Sequence, residues 1–494
     1  MTELRLPANF VMESIGPFTH VLLILVVILF FNLIIFVHEL GHFWAAKWRG
    51  LRIDRFQIWF GKPIWKKEVN GVQYGLGWIP AGGFVALPQM APMEAIEGDH
   101  RKDKEALPPI SPLDKIIVAF AGPLFSFLLA FTAAVLIWVV GKPEDSIPTR
   151  QVGWVQKDSP AERAGFQRGD EIIAVNGNPV DMWVGTLDSV LMQVVTSKGQ
   201  EISFTVNRPG VGEMTLVSEF EIPETEWWQR RAVRQVGISP MEGPVAIIPL
   251  SDSENAPAVL AGLEAGDLLL AFNDTPIVDS QQAFDFLQAN GAEPVEVTVQ
   301  RDGEEKVMTV TPVKPTSPVF DPPRYMIGAT FVNEPGEDGG ARQIWVRPSP
   351  VSQVVNVLRQ MWVTVSSVAS ADSSLGIQHL SGPVGIGKIQ FYSLLMDHPM
   401  NRLLEFMVLI NINLALLNLL PLPVLDGGHI TIAVMESIAR RPVNVKFLEV
   451  LQLGFVFLLF SVMIYVTSKD VADDFGMGSG PKREKLVFPA PAES

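Results

Sequence analysis

Four stretches of the chain are apolar, uncharged and long. Residues 21–37 are interrupted by Asn32 alone, and residues 116–140 carry no charge over twenty-five positions. Residues 406–425 are uncharged but contain Asn411, Asn413, Asn418, Pro421 and Pro423, and residues 450–466 form a fourth uncharged run. A helix rises 1.5 Å per residue, so runs of this length cross a hydrocarbon layer of about 30 Å. Four spanning helices are predicted. The first lacks a basic start and a small-residue cleavage site, so it reads as a span rather than a signal peptide. Residues 351–369 hold Arg359 among Ser, Thr, Asn and Gln at helical spacing, which predicts an amphipathic helix on the membrane or protein surface.

Alternating patterns lie between the spans. Phe56 to Gly61 and Val72 to Ile79 read as strands of a hairpin turning at Asn70-Gly71, a strong turn dipeptide. This apolar hairpin adjoins a spanning helix, where non-helical backbone is tolerated only against protein or a cavity. Further on, Ser159-Pro-Ala-Glu-Arg-Ala-Gly-Phe-Gln-Arg-Gly-Asp170 and Ala256-Pro-Ala-Val-Leu-Ala-Gly-Leu-Glu-Ala-Gly-Asp267 repeat one pattern. The pairs Pro160/Pro257, Gly165/Gly262, Gly169/Gly266, Asp170/Asp267 and Asn176/Asn273 share one offset. Each copy predicts a short helix, a glycine turn, an apolar strand and an Asn turn, with later strands at 202–206 and 295–299. The pattern resembles a pair of PDZ domains, which bind extended peptides at a sheet edge or act as spacers and gates.

Lys and Arg orient the whole. Lys47, Arg49, Arg52, Arg55, Lys62, Lys66 and Lys67 follow the first span, and Arg440, Arg441 and Lys446 join the third to the fourth. Both connections are predicted cytoplasmic, and the repeat region and both termini extracytoplasmic. The resulting division is 18–47 (first span), 54–88 (hairpin), 113–141 (second span), 148–222 and 235–315 (the repeat domains) and 350–371 (amphipathic helix). The third and fourth spans take 403–425 and 447–467, and 471–494, rich in Gly, Pro and charge, reads as a disordered tail. The fold class is a polytopic α-helical membrane protein with a membrane-associated β-hairpin and two extracytoplasmic PDZ-like α+β domains.

Composition narrows the chemistry. A net charge of −15 over 494 residues argues against a nucleic-acid partner. A mean hydropathy of +0.26 agrees with a bilayer-embedded chain. Cysteine is absent, so any metal must be held by His, Asp or Glu. His38-Glu39-Leu40-Gly41-His42 supplies such ligands: residues i and i+4 of a helix share a face, and Glu39 beside them can take a proton from water. Burying these groups at the end of an apolar run costs at least ~2.5–3.5 kcal/mol for a charged side chain unless partners compensate it. The bland alternative is a juxtamembrane polar cluster. A zinc site needs a third ligand, and Asp426 in Asn418-Leu-Leu-Pro-Leu-Pro-Val-Leu-Asp-Gly-Gly428 is the acidic candidate. Spans one and three run in the same direction, which sets His38, His42 and Asp426 at one depth. His429 is a weaker competitor. Asn413 and Asn418 suit either hydrogen bonding to a substrate backbone or oxyanion, or glue between helices.

HExxH in a first span, NxxPxPxLDG in a third and PDZ-like domains between spans two and three resemble the site-2 protease family, in its bacterial regulator-of-sigma-E form. The resemblance implies an intramembrane zinc endopeptidase with His38, His42 and Asp426 on zinc and Glu39 as general base. It implies that Asn413 and Asn418 hold substrate and that the hairpin adds a strand to it. Substrates would be single-span proteins already shortened outside the membrane, such as anti-sigma factors, or remnant signal peptides, cut in the inner membrane near its cytoplasmic side. Pro80-Ala-Gly-Gly-Phe-Val85 and Ser381-Gly-Pro-Val384 match smaller signatures of the family. Two positions depart from it: Trp59 stands where a small residue is usual, and Ser126 where relatives often carry Asn. A catalytically inactive PDZ scaffold and a zinc transporter are the competing classes. The intact motif residues speak against the first, and the apolar 116–140 span against the second.

Overall fold

Pro17 at the first helical position and the apolar run behind it carry helix α1 from Pro17 to Trp48, so the HExxH pattern lies on its last turns. The computed structural model describes residues 16–90, 110–241, 243–251, 253, 255–317, 323–333, 342–441, 443–478 and 486–490. The chain divides into two units: residues 1–143, 345–362 and 381–470, and residues 144–344, 363–380 and 471–494.

The first unit holds the apolar helices. After α1 come strands β1 (Arg55–Val69) and β2 (Val72–Ala86), then α2 (Pro112–Val140). Ser111 caps α2 by accepting the Asp114 N–H at 3.1 Å. Later elements are α3 (Pro350–Val368), α4 (Pro383–Ser393), α5 (Pro399–Asn418), α6 (Asp426–Ala439) and α7 (Val445–Gly478). Among the described residues, α1, α2, α5 and residues 446–472 of α7 are long and apolar enough to cross a bilayer. The chain is an integral membrane protein. Ala130, Ala133 and Ala134 on α2 let Phe30 and Ile34 of α1 and Phe406, Met407 and Ile412 of α5 close around them in one buried cluster. α1 and α2 approach closely at Gly41, where a Cβ would strike the Ala121 carbonyl.

The hairpin turns at Asn70 and Gly71, both at positive φ as the sequence predicts. Its long strands fold back on themselves. Residues 55–58 pair with 83–86 on one side and with 73–76 on the other, while 65–69 pair with 72–76. The 83–86 segment is left at one border of the sheet. Phe56 packs with Phe43 and Ala46 of α1 and Val118 and Ala121 of α2, which fixes the sheet beside those helices.

The Ser381-Gly-Pro-Val384 signature acquires a structural reason. Asp470 of α7 accepts the Gly382 N–H at 2.9 Å and the Gly385 N–H at 2.8 Å, capping α4 from 88 positions away. Side chains at Gly382 or Gly385 would collide with Asp470.

The second unit contains both repeats. In the first, strands order as 178–179, 171–175, 202–208 and 212–218, and Val152–Val155 pairs with Ile238–Pro240. Phe204, Ile172 and Trp183 fill its core. In the second, the order is 304–310, 295–301, 267–272, 245–249 and 329–333, around Phe272, Leu269 and Val297. The repeated residues have matching tasks. Asp170 takes a two-pronged contact from Arg208 at 2.8 Å and the Gln167 N–H at 2.9 Å. Asp267 takes the same from Arg301 at 2.6 and 2.7 Å and from the Glu264 N–H at 2.9 Å. Asn176 and Asn273 sit at positive φ and accept the N–H of Ser203 and Glu296, both at 2.9 Å.

Several expected bounds shift. The strand at 238–240, expected within the second repeat domain, pairs with Val152–Val155 of the first, and the strand at 329–333 extends the second past 315. The third apolar run ends as a helix at Asn418 rather than 425, since Pro421 and Pro423 cannot donate the bonds that would continue it. α7 runs beyond 467 to Gly478, and Val487 and Phe488 of the expected disordered tail are held by protein. The rest of that tail, 479–485 and 491–494, lies outside the described residues.

Candidate metal centre

Helical spacing puts His38 and His42 on one face of α1, with Nε2 atoms 3.3 Å apart. Asp426, the first residue of α6, reaches them from the far side: Oδ2 lies 3.3 Å from His38 Nε2 and Oδ1 lies 3.4 Å from His42 Nε2. One ligand atom from each of the three residues falls within 4.8 Å of the others.

The loop between α5 and α6 makes this approach possible. Residues 419–425 leave the helical path, and α6 restarts at Asp426. A Cβ on Gly427 would fall on the Leu419 and Leu420 carbonyls, and one on Gly428 would fall on the Leu422 carbonyl. Gln452 of α7, buried, donates to the Pro423 carbonyl at 3.1 Å and props the loop from behind.

α2 orients both imidazoles. His42 Nδ1 donates to the Val118 carbonyl at 2.8 Å, and a carbonyl can only accept. The Nε2 lone pair of His42 must therefore face Asp426. Ser126, fully buried, meets His38 Nδ1 at 3.0 Å and holds that ring with Nε2 on the side of Asp426. Gly122 leaves the room, since a Cβ there would occupy the His42 ring. Asp426 Oδ2 is buried without a hydrogen-bond donor among the described residues. Two imidazole nitrogens and a carboxylate oxygen thus converge on one point, an arrangement suited to a cation held between them. Two imidazoles and a carboxylate are a zinc donor set, so the residues fit that ion.

A cavity of about 210 Å³ opens over these atoms and is shared by Glu39, Phe84, Asn418 and His429. A Cβ on Gly83 would lie 3.4 Å from Glu39 Cγ, which sets the acid against the border segment of the hairpin. Asn418 Nδ2 approaches His38 Nε2 at 3.2 Å. Of the sequence candidates, His38, Glu39, His42, Asn418 and Asp426 come together. His429 borders the cavity but is not in the convergent set. Asn413 does not border it, and its Oδ1 is buried without a partner among the described residues.

Both sequence departures find partners. Ser126 takes the hydrogen-bonding post behind His38. Trp59, at φ +67°, donates its indole N–H to Asn32 Oδ1, satisfying the lone polar group of the first apolar run. The sequence held no signal for either, because the partners lie 88 and 27 positions away.

Comparison with known proteins decides the family. The profile of peptidase family M50 matches residues 26–462. The chain belongs to peptidase family M50. A Vibrio cholerae protein named as a candidate zinc metalloprotease is 30% identical over 453 residues, covering 88% of this chain and 95% of its own length. The regulator of sigma E protease of Haemophilus influenzae is 28% identical over 88% of this chain and 95% of its own. Its namesake in Salmonella typhimurium is 28% identical over 84% and 90%. This M50 chain is a zinc metalloprotease.

Proposed function

We propose that this M50 protease cuts peptide bonds within or beside the transmembrane segments of single-span proteins, with zinc on His38, His42 and Asp426. The observation that carries the reading is that the three converging ligand atoms open into the same cavity as Glu39 and the 83–86 border of the hairpin, all among apolar helices. Zinc held there supplies Lewis-acid chemistry, acidifying a water and polarising a carbonyl. Glu39 takes the proton of the attacking water and passes it to the leaving amine. Asn418 donates its amide to the carbonyl oxygen as charge develops. A substrate helix hides its backbone, so it unwinds and pairs with residues 83–86 as an added strand. Asn413, with its unpartnered Oδ1, receives a substrate N–H farther along α5.

The repeat domains act as PDZ modules outside the cytoplasm, excluding proteins whose external part is intact. Substrates are anti-sigma-factor-like proteins or remnant signal peptides, and the enzyme works in the inner membrane with its site towards the cytoplasm. The relatives named as regulators of sigma E support this substrate class.

Purified protein in detergent tests the reading on a single-span model substrate. Wild type should cleave it, while chelated wild type and Glu39→Gln should not, the variant still holding about one zinc. Cleavage that persists in Glu39→Gln sinks the assignment of the base. Zinc binding without cleavage of any of several substrates sinks the protease reading for this site.

A further inference from the structure

Among the matched positions at which the two repeats differ is the one that precedes the short helix. In the first repeat Ser159 caps the short helix Pro160–Arg163 by accepting the Glu162 N–H at 3.2 Å. The equivalent residue of the second repeat is Ala256, and the helix Pro257–Leu260 has no side-chain cap. Gly237 presses against Ser159 in the first copy. Gly328 presses against Ala256 in the second, where a Cβ would lie 2.8 Å from the Ala256 Cβ and 3.1 Å from Phe488 Cε2. A methyl group thus stands where the first repeat has a polar cap, and an aromatic ring packs beside the same glycine.

That ring comes from the C-terminal segment. Phe488 is 1% exposed, as buried as the core residues of the repeat itself. The backbone around it is held by strand-like pairing. Thr316 N–H donates to the Val487 carbonyl at 2.8 Å, Val487 N–H donates to the Ser317 carbonyl at 2.9 Å, and Thr316 Oγ1 adds a bond to the Val487 carbonyl at 3.0 Å. Asn255 Nδ2 donates to the Phe488 carbonyl at 3.4 Å. Leu-Val-Phe-Pro is a short extended sequence that Pro489 terminates, set apart by the charged residues 482–485. It lies beyond residue 462, where the match to the M50 profile stops.

We propose that the second repeat carries a binding seat for an extended apolar peptide, formed by Asn255, Ala256, Thr316–Ser317 and Gly328, and that its resident ligand is this chain's own segment Leu486–Pro489. The seat is separate from the border strand Ala329–Asn333, which pairs with Val245–Pro249 while Val487 pairs with Ser317. The occupant does, however, brace Gly328, the residue that leads into that strand. Being tethered, the segment experiences an effective concentration on the order of millimolar, so a weak intrinsic affinity is enough to keep the seat filled.

The test uses the full-length protein in detergent, as wild type and as Phe488→Asp, with a fluorescent peptide spanning residues 482–494. In wild type the Thr316 and Val487 amides should be protected from hydrogen exchange, and in Phe488→Asp they should exchange roughly tenfold faster or more. The peptide should bind the Phe488→Asp chain at millimolar or lower concentration and wild type much less, because its own tail fills the seat. The same peptide carrying Phe488→Ala should bind neither. Equal exchange in the two chains, equal peptide binding to both, or no binding to Phe488→Asp would each overturn the proposal.

Discussion

Ser126 Oγ lies 3.0 Å from His38 Nδ1, and together with the Val118 carbonyl on His42 it makes α2 the element that orients both imidazoles. Partners behind metal-binding histidines fix the tautomer and raise the basicity of the ligating nitrogen.

Ser126→Ala should therefore weaken zinc retention by about 10–100-fold. Ser126→Asn, which restores a hydrogen-bonding group, should recover most of it. Competition with a metal-indicating chelator measures the affinity directly. An unchanged zinc affinity in Ser126→Ala would sink the positioning role.

Gly122→Ala places a methyl group where the His42 ring lies. The opposing helix backbone is close-packed at Gly41 and Ala121, so the ring must turn away. The expected outcome is loss of stoichiometric zinc with retained helix content by circular dichroism. Full zinc occupancy would show that α2 can shift to admit the methyl.

Trp59→Phe removes the donor to Asn32 Oδ1 and leaves a polar atom without its partner beside apolar helices. The expected loss is about 1–3 kcal/mol, read as a lower midpoint in detergent unfolding. In an Asn32→Leu background the same change should cost much less. Equal losses in both backgrounds would assign the effect to packing rather than to the hydrogen bond.

In the second repeat, burial alone would raise the Asp267 carboxyl, but the Arg301 guanidinium and the Glu264 N–H hold it below the ordinary carboxylate range. A depressed folded-state value means that the stabilisation is complete above the unfolded value of about 3.9 and drains away as pH falls through the folded one. Asp267→Asn should lower the stability of this repeat by on the order of 2–3 kcal/mol at neutral pH. The gap from wild type should shrink below about pH 4. Hydrogen exchange of the 267–272 strand reads both effects, and a gap that is constant down to pH 3 would contradict the charge argument.

Periodicity and motif spacing by themselves determined much of this protein. Long uncharged apolar runs favour helices of membrane-spanning length, so α1, α2, α5 and α7 were legible. Helical repeat alone put His38 beside His42, and the fixed offset of the Asp and Asn turns announced two copies of one domain. The Asn70-Gly71 turn was readable because only a few residues tolerate positive φ. Tertiary structure alone decided the rest. Asn418 meets His38 from 380 positions away, Asp470 caps a helix 88 positions before it, and Phe488 lies buried beside Gly328 of the second repeat. Such contacts depend on which surfaces pack together, and a periodic pattern reports which face of an element is buried but not what it is buried against.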